Sequence, residues 1–197
     1  MSKQRNTLIA LTLAAACGFG VYKAGSALIA DEAQGTEHAV NQVWIDHIPR
    51  NDRDMIAHMV LVDHREGQFG AIGRSSQWRH MIDVFKWQLR GDSLRVFFPQ
   101  ERARGQVKIE TWECQGEAPA PFELCMRMTA KNGESAMLYS RHDWKVEPGS
   151  VEDSLEDLRE DTPALAHLPV FEDGQAASFG AAELDEDSES WPLRELF

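Results

Sequence analysis

"FELCMRMTAKNGESAMLYSR", residues 122–141, decides how this chain is read. Phe122, Leu124, Met126 and Met128 occupy alternate positions, the two-residue period of a strand with one buried face. "KNG" supplies residues that tolerate the backbone angles of a tight turn, and "ESAMLYSR" resumes the extended pattern. The stretch reads as a hairpin. Working back from it, "QVKIETWEC" sets Val107, Ile109 and Thr111 against Lys108, Glu110 and Trp112. "QWRHMIDVFKWQL" carries Trp78, Ile82 and Val84 on one parity and Met81, Phe85 and Trp87 on the other. "RGDS" turns it into "LRVFF", which stops at Pro99. "FGAIGRSS" is a strand bent by glycine. "MIAHMVLVD" and "AVNQVWIDHI", the latter with Trp44, complete the series. About eight short strands in sequential hairpins, with hardly a helical period between them, predict an all-β domain over residues 39–147. An antiparallel up-and-down barrel is the expected form, because closure removes exposed edges.

The N-terminus reads as an export segment. Lys3 and Arg5 precede an apolar run from Thr7 to Ala16, and small residues lead to Cys17. The run is short for a spanning helix and suits a signal peptide. "LAAAC" resembles a bacterial lipobox, which implies lipidation of Cys17. An uncleaved anchor, with Lys23 at its polar end, and cleavage after Ala16 or Ala27 are the other routes. In each, residues 1–30 are a signal or anchor with its linker, and the remainder lies in the periplasm or cell envelope, with the membrane contacted through the N-terminus.

Export sets the expectation for Cys114 and Cys125. Paired cysteines persist as disulfides in an oxidising compartment. Zinc needs about four ligands, and no neighbouring motif supplies the rest. Redox dithiols are usually spaced more tightly. A structural bridge between neighbouring strands, worth about 3 kcal/mol by loop closure, is the expectation.

Trp44 in the first strand and Arg141 at the end of the last resemble a feature of lipocalin-like (calycin) barrels. In that family a Trp near the start of the first strand packs under an Arg from the final strand and closes one end. The resemblance implies a cavity for an apolar small molecule or lipid. The family's Gly two positions before the Trp is here Gln42. "IPRNDRD", "SQWR" and "PFELC" also look like segments of exported bacterial proteins, a likeness that implies no activity.

Formal net charge is −12, and the acidity belongs to residues 148–197, where only Arg159 and Arg194 oppose the carboxylates. The middle of the chain is balanced. Neither the middle nor the tail reads as a basic patch, so direct nucleic-acid binding is not expected. Residues 148–197 read as an acidic, mostly disordered tail with a short helix at 151–159, capped by Ser150 with Asp153 three residues on. Trp191, Leu193, Leu196 and Phe197 cluster at the end and form a candidate motif for an envelope protein partner.

Trp44, Trp78, Trp87, Trp112 and Arg141 are the candidates for a ligand cavity or barrel closure, against the simpler reading of core filling. His58 and His64 flank Asp63 without an established metal-ligand spacing, and the histidines are expected at the surface. "SRHD", residues 140–143, places Ser, His and Asp in sequence, whereas a triad is assembled in space. No phosphate-binding, dinucleotide or nucleophile-elbow motif occurs. The expectation is a non-enzymatic protein with neither cofactor nor metal. It binds an apolar ligand or, alternatively, acts as a solid scaffold for protein contacts in the envelope.

Overall fold

Eight strands follow one another in the computed structural model, which describes residues 35–116 and 118–168. They are β1 (Val43–Ile45), β2 (Ile56–His64), β3 (Gly67–Ser75), β4 (His80–Arg90), β5 (Ser93–Phe98), β6 (Ala103–Glu113), β7 (Leu124–Ala130) and β8 (Ser135–Ser140). Each pairs antiparallel with the next, and β8 returns to β1, giving the closed up-and-down barrel that the hairpin series predicts. The turns use the expected residues. Gly91 after β4 and Gly133 after β7 have positive φ, which glycine adopts without steric cost.

Alternation sends one parity inward. Trp44, Met59, Leu61, Ile72, Phe85 and Trp87 join residues of β5 to β8 in one buried cluster. A methyl group on Gly70 would lie 2.8 Å from the Phe85 ring, so this glycine makes room for the aromatic side chain beside it. The segment before β1 closes one end. Gly35 bridges to Thr111, and Ala39 is fully buried against the interior cluster. Residues from Gly35 onward thus already contact the barrel ahead of residue 39.

The β1–β8 seam is short, with the single register pair Ile45 and Tyr139. Side chains reinforce it. Gln42 Nε2 donates to Ser140 Oγ at 2.7 Å and to the Arg141 carbonyl at 2.6 Å, and Ser140 Oγ donates to the Val43 carbonyl at 2.6 Å. Beyond a turn at 141–143, Val43 N–H donates to the Trp144 carbonyl and Val146 N–H to that of Asn41, so the chain after β8 continues along the segment leading into β1.

The barrel has a second core on its outside. Val43, Ile45, Val60, Val62 and Ala71 point outward from β1 to β3 and are buried. A helix, α1 (Val151–Asp161), and a 3-10 turn, Pro163–Leu165, cover them. Val151, Leu155, Leu165 and Leu168 supply the matching apolar stripe. Residues from Val151 to Leu168, within the segment read from sequence as a tail beginning at residue 148, thus pack on the barrel, because the outer wall of β1 to β3 is apolar and must be covered. Ser150 takes the N-cap position without a side-chain cap bond. Ser154 Oγ bonds the Ser150 carbonyl and accepts from Glu147 N–H. Among the described residues, no helix is long and apolar enough to cross a membrane. Cys17 and the Trp191, Leu193, Leu196 and Phe197 cluster lie outside the described residues.

Candidate functional site

The tryptophans proposed to line one cavity are distributed among three environments. Trp44 and Trp87 enter the barrel and are buried, and Trp87 Nε1 donates to the Phe69 carbonyl at 2.7 Å. Trp78 sits on the β3–β4 turn and is 74 % exposed. Ser76 Oγ accepts from the Trp78 and Arg79 N–H groups and fixes that turn, so the chain reverses before β4 begins at His80. Trp112 has outward parity on β6, where the Arg127 guanidinium lies 5.2 Å from its ring centroid. Neither Trp78 nor Trp112 reaches the interior. Arg141 follows β8 and pairs with Asp143 at 2.9 Å, while Gln42 and Ser140 carry the closure contacts of that seam. Gln42, the departure from the lipocalin-like pattern, is thus a structural part of this barrel.

Cys114, just past β6, and Cys125, on β7, form a disulfide. Trp112 and Cys125 are register partners, so the ladder itself brings the two cysteines to neighbouring strand ends. The enclosed loop returns Phe122 to the outer core, where its ring stacks on Tyr139 at 5.1 Å and meets Trp144 edge-on at 5.9 Å.

His58 corrects the surface-histidine expectation. It shares outward parity with Ile56, Val60 and Val62 and lies beneath α1, 5 % exposed. Its Nε2 is 2.8 Å from Ser75 Oγ. Burial first, and the nearby His80 second, push its pKa down to about 4. Val43, His58, Val60, Ala71, Leu155 and Leu168 border a void of about 20 Å³, room for one water molecule. Ser75 has no exposed surface, so the His58–Ser75 pair offers no nucleophile to a substrate. His167, in the covering segment, is also buried, and among the described residues its Nδ1 has no partner.

The opposite outer wall is chemically different. Lys86 and Arg90 on β4, Arg95 on β5, Arg104 and Lys108 on β6 and Arg127 on β7 share the outward parity. Register aligns them in rows across the strands: Lys86 with Phe97 and Arg104, Gln88 with Arg95 and Gln106, and Arg90 with Ser93 and Lys108. Glu110 is the one carboxylate of this parity on β4 to β7. It binds Lys108 at 2.8 Å and lies 4.0 Å from Arg127, and its hydrogen bond holds Lys108 above the ordinary lysine range. The balanced charge of the middle region conceals this segregation. A basic wall exists although no basic run does, because the two-residue period collects every second residue from separate strands.

At the open rim Asp83 points inward from β4. Desolvation, then Glu101, raises its carboxyl above the usual range. Among the described residues no group of three His, Cys, Asp or Glu side chains is arranged to hold a metal ion. Searches of protein-family models, of curated proteins and of solved structures find no match to this chain.

Proposed function

We propose that this is a non-enzymatic, exported envelope protein whose barrel serves as a solid scaffold for protein contacts. The observation that carries the reading is the filled interior. Trp44, Phe85, Leu61 and Met126 are each buried to within a few per cent at the centre of the barrel. An eight-stranded barrel is just wide enough for its side chains to fill, and a drug-sized ligand would require several hundred Å³. The void under α1 is far smaller. Contacts are then left to the outer walls, the loops and the Trp191–Phe197 end. Attachment to the membrane through the apolar run before Cys17 accounts for the N-terminal sequence.

Native mass spectrometry of the full chain purified from membranes tests this. The expected spectrum shows the protein with no small molecule bound. A stoichiometric apolar ligand that survives desalting would instead favour the carrier reading implied by the lipocalin-like resemblance. The same measurement reports whether Cys17 is the lipidated N-terminus.

A further inference from the structure

We infer that the β3–β4 turn is a membrane contact of the barrel itself, with the Trp78 ring seated among the headgroups of the bilayer to which the chain is attached. Among the described residues the exposed large apolar side chains are Trp78, at 74 %, and Met81, at 43 %, and both belong to this one hairpin tip. The backbone that carries the ring is held in place. Ser76 N–H donates to the Arg79 carbonyl at 2.8 Å, and Ser76 Oγ accepts from the Trp78 and Arg79 N–H groups. Gln77 N–H donates to the Asp52 carbonyl at 3.0 Å, which ties the turn to the β1–β2 loop with its exposed Arg50 and Arg53. A large apolar group fixed in water carries a cost that a covering surface removes.

Area selects the bilayer as that surface. One tryptophan buries about 200 Å², whereas a stable protein interface takes about 800 Å² from each partner. A membrane–water interface needs no matching surface. An indole, apolar in its ring and polar at its N–H, sits there at headgroup level, and arginine side chains beside it reach the lipid phosphates. Arg79 follows Trp78 directly, and Arg53 stands on the tied loop; both are exposed. They share this end of the barrel with Asp83 and Glu101, so local charge is close to balanced and the ring is the anchor. The opposite end suits a bilayer less. Around the disulfide it exposes Glu113, Glu123 and Asp143 and, among the described residues, no large apolar side chain. A single ring holds a free protein weakly but can orient one already attached, because attachment raises its local concentration. The inference therefore rests on the proposed attachment through the N-terminal run. Gly35 meets the barrel at Thr111, near the end opposite the turn, so the two contacts are separate. The stretch from Cys17 to Gly35 spans up to about 60 Å when extended. An 11-residue strand such as β6 covers roughly 36 Å, so both contacts can engage one bilayer.

Fluorescence of the full chain reconstituted into phosphatidylcholine–phosphatidylglycerol vesicles is the test, with acyl chains brominated close to the headgroups. Bromine quenches only indoles that reach it. The difference between the wild-type protein and Trp78→Phe isolates the Trp78 emission from that of the other tryptophans. Brominated lipid is expected to quench the Trp78 component at least about twofold relative to unbrominated lipid. Flotation with the vesicles should be the same for both proteins, since attachment resides in the N-terminal run. An unquenched Trp78 component in a protein that floats would overturn the inference and leave the attachment standing. Failure of the wild-type protein to float would overturn both. Shielding of the Trp78 component from acrylamide without quenching by bromine would assign the turn to a second copy of the chain, and the inference would fall.

Discussion

Replacing Trp87 with Ala and replacing Trp78 with Ala are expected to have very different consequences. Trp87 is buried in the barrel and its indole N–H is satisfied by Phe69, so truncation leaves a cavity and removes that hydrogen bond. The cost should be about 3–5 kcal/mol. Trp78 is 74 % exposed on a turn held by Ser76, and its loss should change stability by no more than about 0.5 kcal/mol. Urea unfolding of both variants checks the pair. Equal costs would mean that the Trp78 ring packs against the protein. His58 makes a second prediction at this scale. Its folded pKa is depressed to about 4, from an ordinary value of 6.5. The unfolded chain therefore takes up the proton first as pH falls. Stability from this group is intact above pH 6.5 and declines as pH drops from there towards 4. Between pH 7 and pH 5 the loss should be about 2 kcal/mol. His58→Gln should remove that part of the pH dependence while the other titrating groups keep theirs. Parallel pH profiles for the two proteins would show that His58 is protonated in the fold.

At the scale of elements, α1 is held by what it covers. Its stripe of Val151, Leu155 and Leu158 is short, and isolated helices of this length are marginal in water. Leu155→Ala should cost about 2–4 kcal/mol and accelerate amide exchange in α1 more than in β4 to β7. Uniform acceleration would mean that helix and barrel open as one unit. Gln42→Ala should cost about 1–3 kcal/mol, because it removes the side-chain hydrogen bonds to Ser140 Oγ and the Arg141 carbonyl at a seam with a single ladder pair. The order of these elements was legible in the sequence, since alternation and turn residues act locally. What escaped local reading was decided by the partner surface. Thr162 to Leu168 has no period of its own, yet Leu165 and Leu168 are buried, because the β1–β3 wall demands cover. His58 was legible only through its parity with Ile56, Val60 and Val62. Lys86, Arg95 and Arg104 are far apart in sequence, and only the strand register makes them one surface. Trp78 lies outside the interior because Ser76 builds a turn within "SQWR", a turn that residue alternation does not reveal.

For the whole molecule, the barrel divides space into a filled interior, an apolar wall beneath α1 and a basic wall opposite. The disulfide touches two of these regions. Cys125 lies on β7, within the ladder, and the loop that the bridge closes delivers Phe122 to the outer core. Reduction should therefore act unequally. The β6–β7 ladder runs from Val107 with Ala130 to Glu113 with Leu124 and does not need the bridge to form. The loop needs it, because without the cross-link its return relies on Phe122 against Tyr139 and Trp144 and on the backbone bond from Cys114 N–H to Glu123. Cys114→Ser/Cys125→Ser should lower unfolding free energy by about 3 kcal/mol, chiefly by freeing the unfolded chain. The far-ultraviolet signature of the barrel should persist, and amide exchange should rise first around residues 115–123. Loss of the β-sheet signal at a temperature where the cross-linked protein is folded would make the bridge a condition of barrel closure. Retention of the full unfolding free energy would show that packing of Phe122 alone holds the loop.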